Sequence, residues 1–294
     1  MATASHFPKA RAKRALLDRD FLASYCRDMI EQRRQVRKSP EAEKVHDLRV
    51  AAHRLGAVIR FMEPKLPAKR ARAVRRRSRR IRRVLGTLRN ADVTADLVAR
   101  LSRSLPPAEK AAIHPLLVRL RSEAAVLRRG ASRSGKFPVL GIRKRIERLL
   151  ASAPRRGQRS LDSRVDAILF ERISKFERNL RKSANGDAQS MHRVRIAVKR
   201  YRYTLELLER AGRPQPENAL REAKQLQKVL GRLHDLDVLL GLLRKSKSGT
   251  PAHALASRLR QERRRRLEAA RSCLKQFLPV SIPSPTRPRS RRFS

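Results

Sequence analysis

Acidic and aromatic residues are both scarce in this chain. Among its 294 residues, 26 are Asp or Glu against 74 Lys or Arg, a formal net charge of +48 at pH 7. A chain that repels itself this strongly is suited to a polyanionic partner. Trp is absent, Tyr occurs three times and Phe eight times, too few for a surface that stacks bases. No apolar run approaches the ~20 residues of a membrane-spanning helix. The N-terminal MATASHFPKARAKRALL is basic without an apolar segment, so no secretory signal is expected. Cys26 and Cys273 stand apart, with no CxxC and no Cys/His cluster at zinc spacing. The expectation is a pair of buried thiols in a reduced, cytoplasmic protein that needs no metal and no cofactor.

Strand signals are equally sparse. Ala, Leu, Arg, Glu and Lys fill long Gly-poor stretches, which predicts an all-α fold. Breakers at Ser39-Pro40, Glu63-Pro64, Pro106-Pro107, Gly130–Pro138, Ala153–Gly157, Asn185-Gly186, Gly212–Pro216 and Gly249–Pro251 divide the chain. Between them the spacing predicts helices over 14–38, 41–62, 68–103, 107–129, 161–183, 187–210, 216–245 and 252–277, with a short one near 140–151. The closing PVSIPSPTRPRSRRFS is rich in Pro, Ser and Arg and is expected to be a disordered basic tail over 279–294.

An internal duplication organises the rest. VHDLRVAAHRLGAVIRFM (45–62) matches MHRVRIAVKRYRYTLELL (191–208) at an offset of 146. Each carries an apolar heptad stripe: Val45, Leu48, Ala52, Leu55, Ile59 and Met62 in one, Met191, Val194, Val198, Tyr201, Leu205 and Leu208 in the other. Such a stripe buries one face of a helix in a bundle. At an offset of 145, IRRVLGTLRNADVTADL (81–97) matches LQKVLGRLHDLDVLLGL (226–242), sharing the Val84/Val229, Leu85/Leu230, Gly86/Gly231, Leu88/Leu233 and Asp92/Asp237 identities among others. The chain thus divides into a basic arm (1–13), a first helical repeat (14–130), a linker (131–160), a second repeat (161–278) and the tail. With only about 13 residues ahead of the first helix, no second domain is expected there.

Polar residues follow one step behind each stripe position. They are His46, Arg49 and His53 in one repeat and His192, Arg195, Lys199 and Arg202 in the other, with Arg54 and Arg200 alongside. Spacings of three and four residues make each set a continuous ridge, about 100° round from the core face. Arg76, Arg79 and Arg83 align with Arg221, Lys224 and Lys228 as a second pair of ridges. Like charges at these spacings disfavour a helix by a few tenths of a kcal/mol per pair, roughly. Their repetition in register points to phosphate oxygens, which Arg meets with a planar fork and Lys with a point charge. Arg75, Arg77, Arg80, Arg82 and the run Arg263–Arg266 lack that repetition and read as general positive field.

Other polar residues have smaller expected parts. Asp92 and Asp237 are expected to form ion pairs that orient a neighbouring Arg or Lys. Gly86 and Gly231, inside helices, are expected to let two helices approach closely. Tyr203 either points its hydroxyl at phosphate or packs between the halves. Beside a phosphate chain, protonated His46 and His192 would each donate two hydrogen bonds. The His-Asp pairs at 46–47 and 234–235 also fit a metal-dependent phosphohydrolase, but Asp47 aligns with Arg193, and His234-Asp235 with Arg89-Asn90. The repeats share histidine and not the acid, which leaves this reading third.

The pattern H-x-x-R-V/I-A-x-x-R in both repeats, each followed by a helix ending LG-x-L-x-N/D-x-D, resembles the conserved-histidine α-helical domain family, CHAD. His46, Arg49, Ala51 and Arg54 carry it in one half, with His192, Arg195, Ala197, Lys199, Arg200, Arg202 and Tyr203 in the other; Asp92 and Asp237 close the second motif. The resemblance runs from about residue 14 to 278. It implies two pseudo-symmetric four-helix bundles around a basic central pore or groove that binds inorganic polyphosphate, without catalysis, in the cytoplasm or on polyphosphate granules. Gly56 stands where the family usually has Arg, and Gly56-Ala57 replace Arg202-Tyr203, so fewer contacts are expected from that edge. The E-x-E-x-K strand that marks a triphosphate-tunnel domain in some relatives is absent. The competing expectation is a nucleic-acid-binding helical protein, since bulk charge alone ensures some non-specific affinity.

Overall fold

A computed structural model describes residues 18–133, 141–153, 162–213, 218–245 and 250–277. Among them the chain forms helices and no strand. The elements are α1 (Arg19–Lys38), α2 (Ala42–Met62), a 3₁₀ turn (Glu63–Lys65), α3 (Ala68–Ser102), α4 (Pro107–Arg133), α5 (Ile142–Ala151), α6 (Asp162–Arg181), α7 (Ala188–Arg210), α8 (Ala219–Lys245) and α9 (Thr250–Gln276). These match the expected helices within a few residues. The expected start of the first helix at 14, the N-terminal arm and the basic tail lie outside the described residues.

Local chemistry fixes the ends. Asp18 caps α1, its carboxylate accepting from the Phe21 amide at 2.8 Å, and Arg37 and Lys38 close the last turn against the helix dipole. Asp187 caps α7, accepting from the Ser190 amide at 2.9 Å. Just before it, Gly186 turns the chain with φ +65°, a region open to glycine at little steric cost.

Both heptad stripes are buried along their whole length, from Val45 to Met62 and from Met191 to Leu208. Helices α1 to α4 pack in succession, as do α6 to α9. The duplicated partners also touch across the halves: α2 meets α7, α3 meets α8 and α4 meets α9. The main apolar core runs without interruption through both halves, from Leu22 on α1 to Leu274 on α9. A smaller core lies at the other end, where Ala95 and Val98 of α3 and Ile113 and Leu117 of α4 join Leu236, Leu239 and Leu255 of α8 and α9. Helix α3, about 52 Å long at 1.5 Å per residue, contributes to both.

Helix α5 sits inside the expected linker. Its Ile142, Ile146 and Leu149 are buried against α1 and α3. Cys26 is buried, its thiol pushed up to about 12 by desolvation, while Cys273 is half-buried and also raised. One of the two thiols therefore fits the expected burial.

Candidate polyanion site at the crossing of α2 and α7

Where α2 meets α7, the stripes face the core and the ridges behind them come together. Arg49 reaches across to α3 and donates from Nη1 to the Leu85 carbonyl at 3.3 Å. A Cβ on Gly86 would lie 3.6 Å from that Nη1, so the glycine borders a guanidinium and not another helix. Nothing stands within 4 Å of a Cβ placed on Gly231. Neither glycine serves the close helix approach expected from sequence.

His53 and Arg82 form the centre. Arg82 Nη1 donates to His53 Nδ1 at 2.6 Å, which makes the imidazole an acceptor and places its proton on Nε2. Burial, followed by Arg82, Lys199, Arg49 and Arg200, pushes the His53 pKa down to about 2. It is neutral at any ordinary pH. Burial and the nearby Arg79, Arg200 and Arg49 lower Arg82 to about 10.

The other face of His53 lies against α7. Its ring stacks on Tyr203, centroids 5.2 Å apart and planes within 18°. The Arg202 guanidinium lies 4.5 Å from the Tyr203 centroid and Lys199 Nζ 5.8 Å from it. Tyr203, buried at 7% exposure, thus packs between the halves, one of its two expected roles. Glu206 accepts from Arg54 at 3.5 Å and pairs with Arg202 at 3.3 Å. Beside this group a cleft of about 250 Å³ is lined by Tyr25, Arg54, Tyr203, Glu206, Arg210 and Lys224 among others.

Lys199 and Arg195 continue the cluster. Burial, then Arg49, Arg195, Arg202 and Arg82, bring Lys199 down to about 8. Arg49 is lowered by burial and by Arg89 and Arg195. Arg195 is lowered by burial, with Asp235 and Tyr203 opposing. Buried Nε–H groups of Arg82, Arg195 and Arg202 have no hydrogen-bond partner, which marks these side chains as desolvated and underused donors.

The two ridge histidines border the cluster differently. His46, exposed on α2, is lowered by desolvation and by Arg89. His192 faces His234 on α8, with centroids 4.6 Å apart and the Nδ1 atoms 3.4 Å apart. That contact is a hydrogen bond only when one Nδ1 carries a proton and the other does not. Burial, Arg195 and His192 lower His234 to about 4. Arg89, which acts on the charge of His46, and His234, which faces His192, occupy matched repeat positions.

The second pair of ridges stays on the outside. Arg76, Arg79 and Arg83 on α3 and Arg221, Lys224 and Lys228 on α8 are exposed, as is Arg200 on α7. Arg79 and Arg200 act electrostatically on Arg82, and Lys224 lines the cleft. Asp92 and Asp237 behave as expected: Asp92 pairs with Arg128 on α4, and Asp237 accepts from Arg263 Nε on α9 at 2.5 Å. Arg263 is therefore no part of a general field; its Nη2 also donates to the Gly186 carbonyl at 2.9 Å. Arg75, paired with Glu63 at 2.7 Å, and Arg266, paired with Glu262 at 2.6 Å, leave that category too.

Sequence reasoning assigns Arg82 only to a general field and weighs Asp235 only as a metal ligand, and it gives no part to Arg89 or Glu206. The seven-residue spacing of Arg75, Arg82 and Arg89 beside the apolar stripe was an available signal. Repetition as a criterion discarded it, because the matched positions are Leu220, Gln227 and His234. Among the described residues, no three His, Cys, Asp or Glu side chains are grouped to hold a metal ion, and no helix is long and apolar enough to cross a membrane.

An all-helical domain whose duplicated helices bring Arg, Lys and His together at a shared crossing defines the class. The CHAD domain model matches residues 21–244, and the chain belongs to that family. Its fold is similar to a crystal structure of the CHAD domain from the plant Ricinus communis, at 20% identity, TM-score 0.64, covering 95% of this chain and 99% of that one. It is also similar to PptA from Streptomyces chartreusis, at 17% identity, TM-score 0.66, covering 90% and 98%. No curated protein sequence matches the chain.

Proposed function

We propose that this protein binds inorganic polyphosphate, without turning it over, in a basic groove centred on the α2–α7 crossing. Family membership supports the ligand class. The observation that carries the groove is the pairing of Arg49 with Arg195. These are matched positions of the two repeats, and Arg195 lies close enough to act on the charge of Arg49, inside a half-buried cluster whose nearby acids include Glu206 and Asp235. Taking the cations from water and crowding them is unfavourable until anionic oxygens supply charge-assisted hydrogen bonds. A phosphate chain offers many such oxygens at once. Lys199, Arg202 and Arg82 add donors, and His46 and His192 gain protons beside the anion.

The test is Arg49→Glu combined with Arg195→Glu, titrated with polyphosphate at fixed salt. The expected result is a loss of about a hundredfold or more, with the affinity of the unaltered protein falling steeply as salt rises. Retained helical circular dichroism shows that the variant has folded, and near-normal binding by it overturns the site. Competition separates the nucleic-acid reading: polyphosphate should displace RNA at equal phosphate concentration, and a preference for RNA favours the rival. Phosphate release in Mg²⁺ or Mn²⁺ would contradict binding without turnover.

A further inference from the structure

A further cation cluster lies away from the α2–α7 crossing, and α3 joins the two. Residues 64–91 contain no Asp or Glu. Counting 100° per residue, Arg82 stands about 70° to one side of the apolar stripe of α3, and Arg77 about 70° to the other. Between them, round the solvent side, Arg79, Arg83 and Arg80 follow at steps of about 60° or less. All three are exposed.

The band ends on α5. Arg145 is close enough to Arg77 to act on its charge, and Arg70 Nη1 donates to the Arg148 carbonyl at 3.3 Å. Arg145, Arg148 and Lys144 are exposed, while Ile142, Ile146 and Leu149 anchor the helix beneath them. The helix docks on α1 and α3 of the first half. In α8, the counterpart of α3, Glu222 interrupts the cations.

We propose that a polyphosphate chain seated at the α2–α7 crossing continues over α3, along Arg82, Arg79, Arg83 and Arg80, to a second anchorage at Arg145 and Arg148 on α5. Long chains then engage two sites joined by a track, and short chains one. This rests on the polyphosphate reading of the crossing. The shape of the band selects the ligand. It curves round a helix about 10–12 Å across, which a duplex with a persistence length of about 50 nm does not follow. Neither α3 nor α5 contains an aromatic residue, so single-stranded bases find no stacking platform there. A flexible chain of phosphates needs neither straightness nor stacking.

The experiment compares a short oligophosphate with long-chain polyphosphate on the unaltered protein and on Arg145→Glu/Arg148→Glu, by calorimetric titration across salt. Linking two contacts raises overall affinity without a new contact type, so the unaltered protein should bind the long chain at least about tenfold more tightly per chain end. The variant should keep its short-chain affinity within about twofold, lose most of the long-chain gain, and lower the salt slope for long chains by more than the ~1.4 expected for two lost contacts. Arg145→Gln/Arg148→Gln should show a smaller loss of the same kind. An unchanged long-chain affinity in the Glu variant overturns the track, as does an equal loss at both lengths. Failure of the unaltered protein to bind the short chain strikes the crossing instead, which separates the two readings.

Discussion

The imidazole of His53 on α2 stacks on the phenol of Tyr203 on α7, with Arg82 donating to Nδ1 of the imidazole and the Arg202 guanidinium over the tyrosine ring. One neutral sandwich thereby holds cations from α3 and α7 and joins the two repeats. Histidine in this position works as an acceptor that aims an arginine, and tyrosine as the surface on which another lies.

Removing the sandwich should loosen the junction. Tyr203→Ala deletes a buried ring and should cost about 3 kcal/mol, read as a lower urea midpoint. Tyr203→Phe keeps the stack and loses only the hydroxyl that meets Arg202, a cost of about 1 kcal/mol. Equal effects of the two substitutions would show that the ring contact contributes little.

Acid should destabilise the fold through His53. Its folded pKa, about 2, lies far below the ordinary value of 6.5. Below pH 6.5 the unfolded chain therefore binds the proton that the folded chain refuses, and stability falls as pH drops. The slope from this buried group is about 1.4 kcal/mol per pH unit at most. Urea unfolding at pH 7, 6 and 5 should show the decline, and His53→Gln should flatten it.

Alkali should act on stability and on binding in opposite directions. Lys199 is held down to about 8 in the free protein against an ordinary 10.5. Between those values the unfolded chain holds more protons, so this group makes the free protein more stable as pH rises through that window. Bound phosphate raises the Lys199 pKa, so binding takes up a proton and affinity falls as pH climbs through about 8. Calorimetry in buffers of different ionisation enthalpy should detect the uptake. Lys199→Arg should abolish the uptake measured above about pH 8, where the histidines stay neutral, while leaving binding intact.

Gly186 should resist substitution where Gly212 yields. Both have positive φ, +65° and +72°. A Cβ on Gly186 would lie 2.6 Å from Leu267 Cδ2, whereas one on Gly212 meets nothing within 4 Å. Gly212→Ala should cost about 1 kcal/mol for the backbone alone, and Gly186→Ala about 2 kcal/mol or more. Because Arg263 holds both the Gly186 carbonyl and Asp237, the larger loss should be accompanied by earlier hydrogen exchange at the start of α7.

Features that depend on neighbours along the chain are legible from residue order. Heptad spacing marked the buried faces of α2 and α7 residue by residue, and breakers marked the helix ends. The offset of 146 also identified Arg49 and Arg195 as matched positions. Which cations meet depends on how the helices pack. Arg82 joins His53 because α3 crosses α2, and α5 docks because Ile142, Ile146 and Leu149 find α1 and α3. The ridges of α3 and α8 face outward while those of α2 and α7 converge. Periodicity sets a side chain's angle about its own helix axis. Whether water or another helix occupies that direction depends on how separate helices bury their apolar faces together.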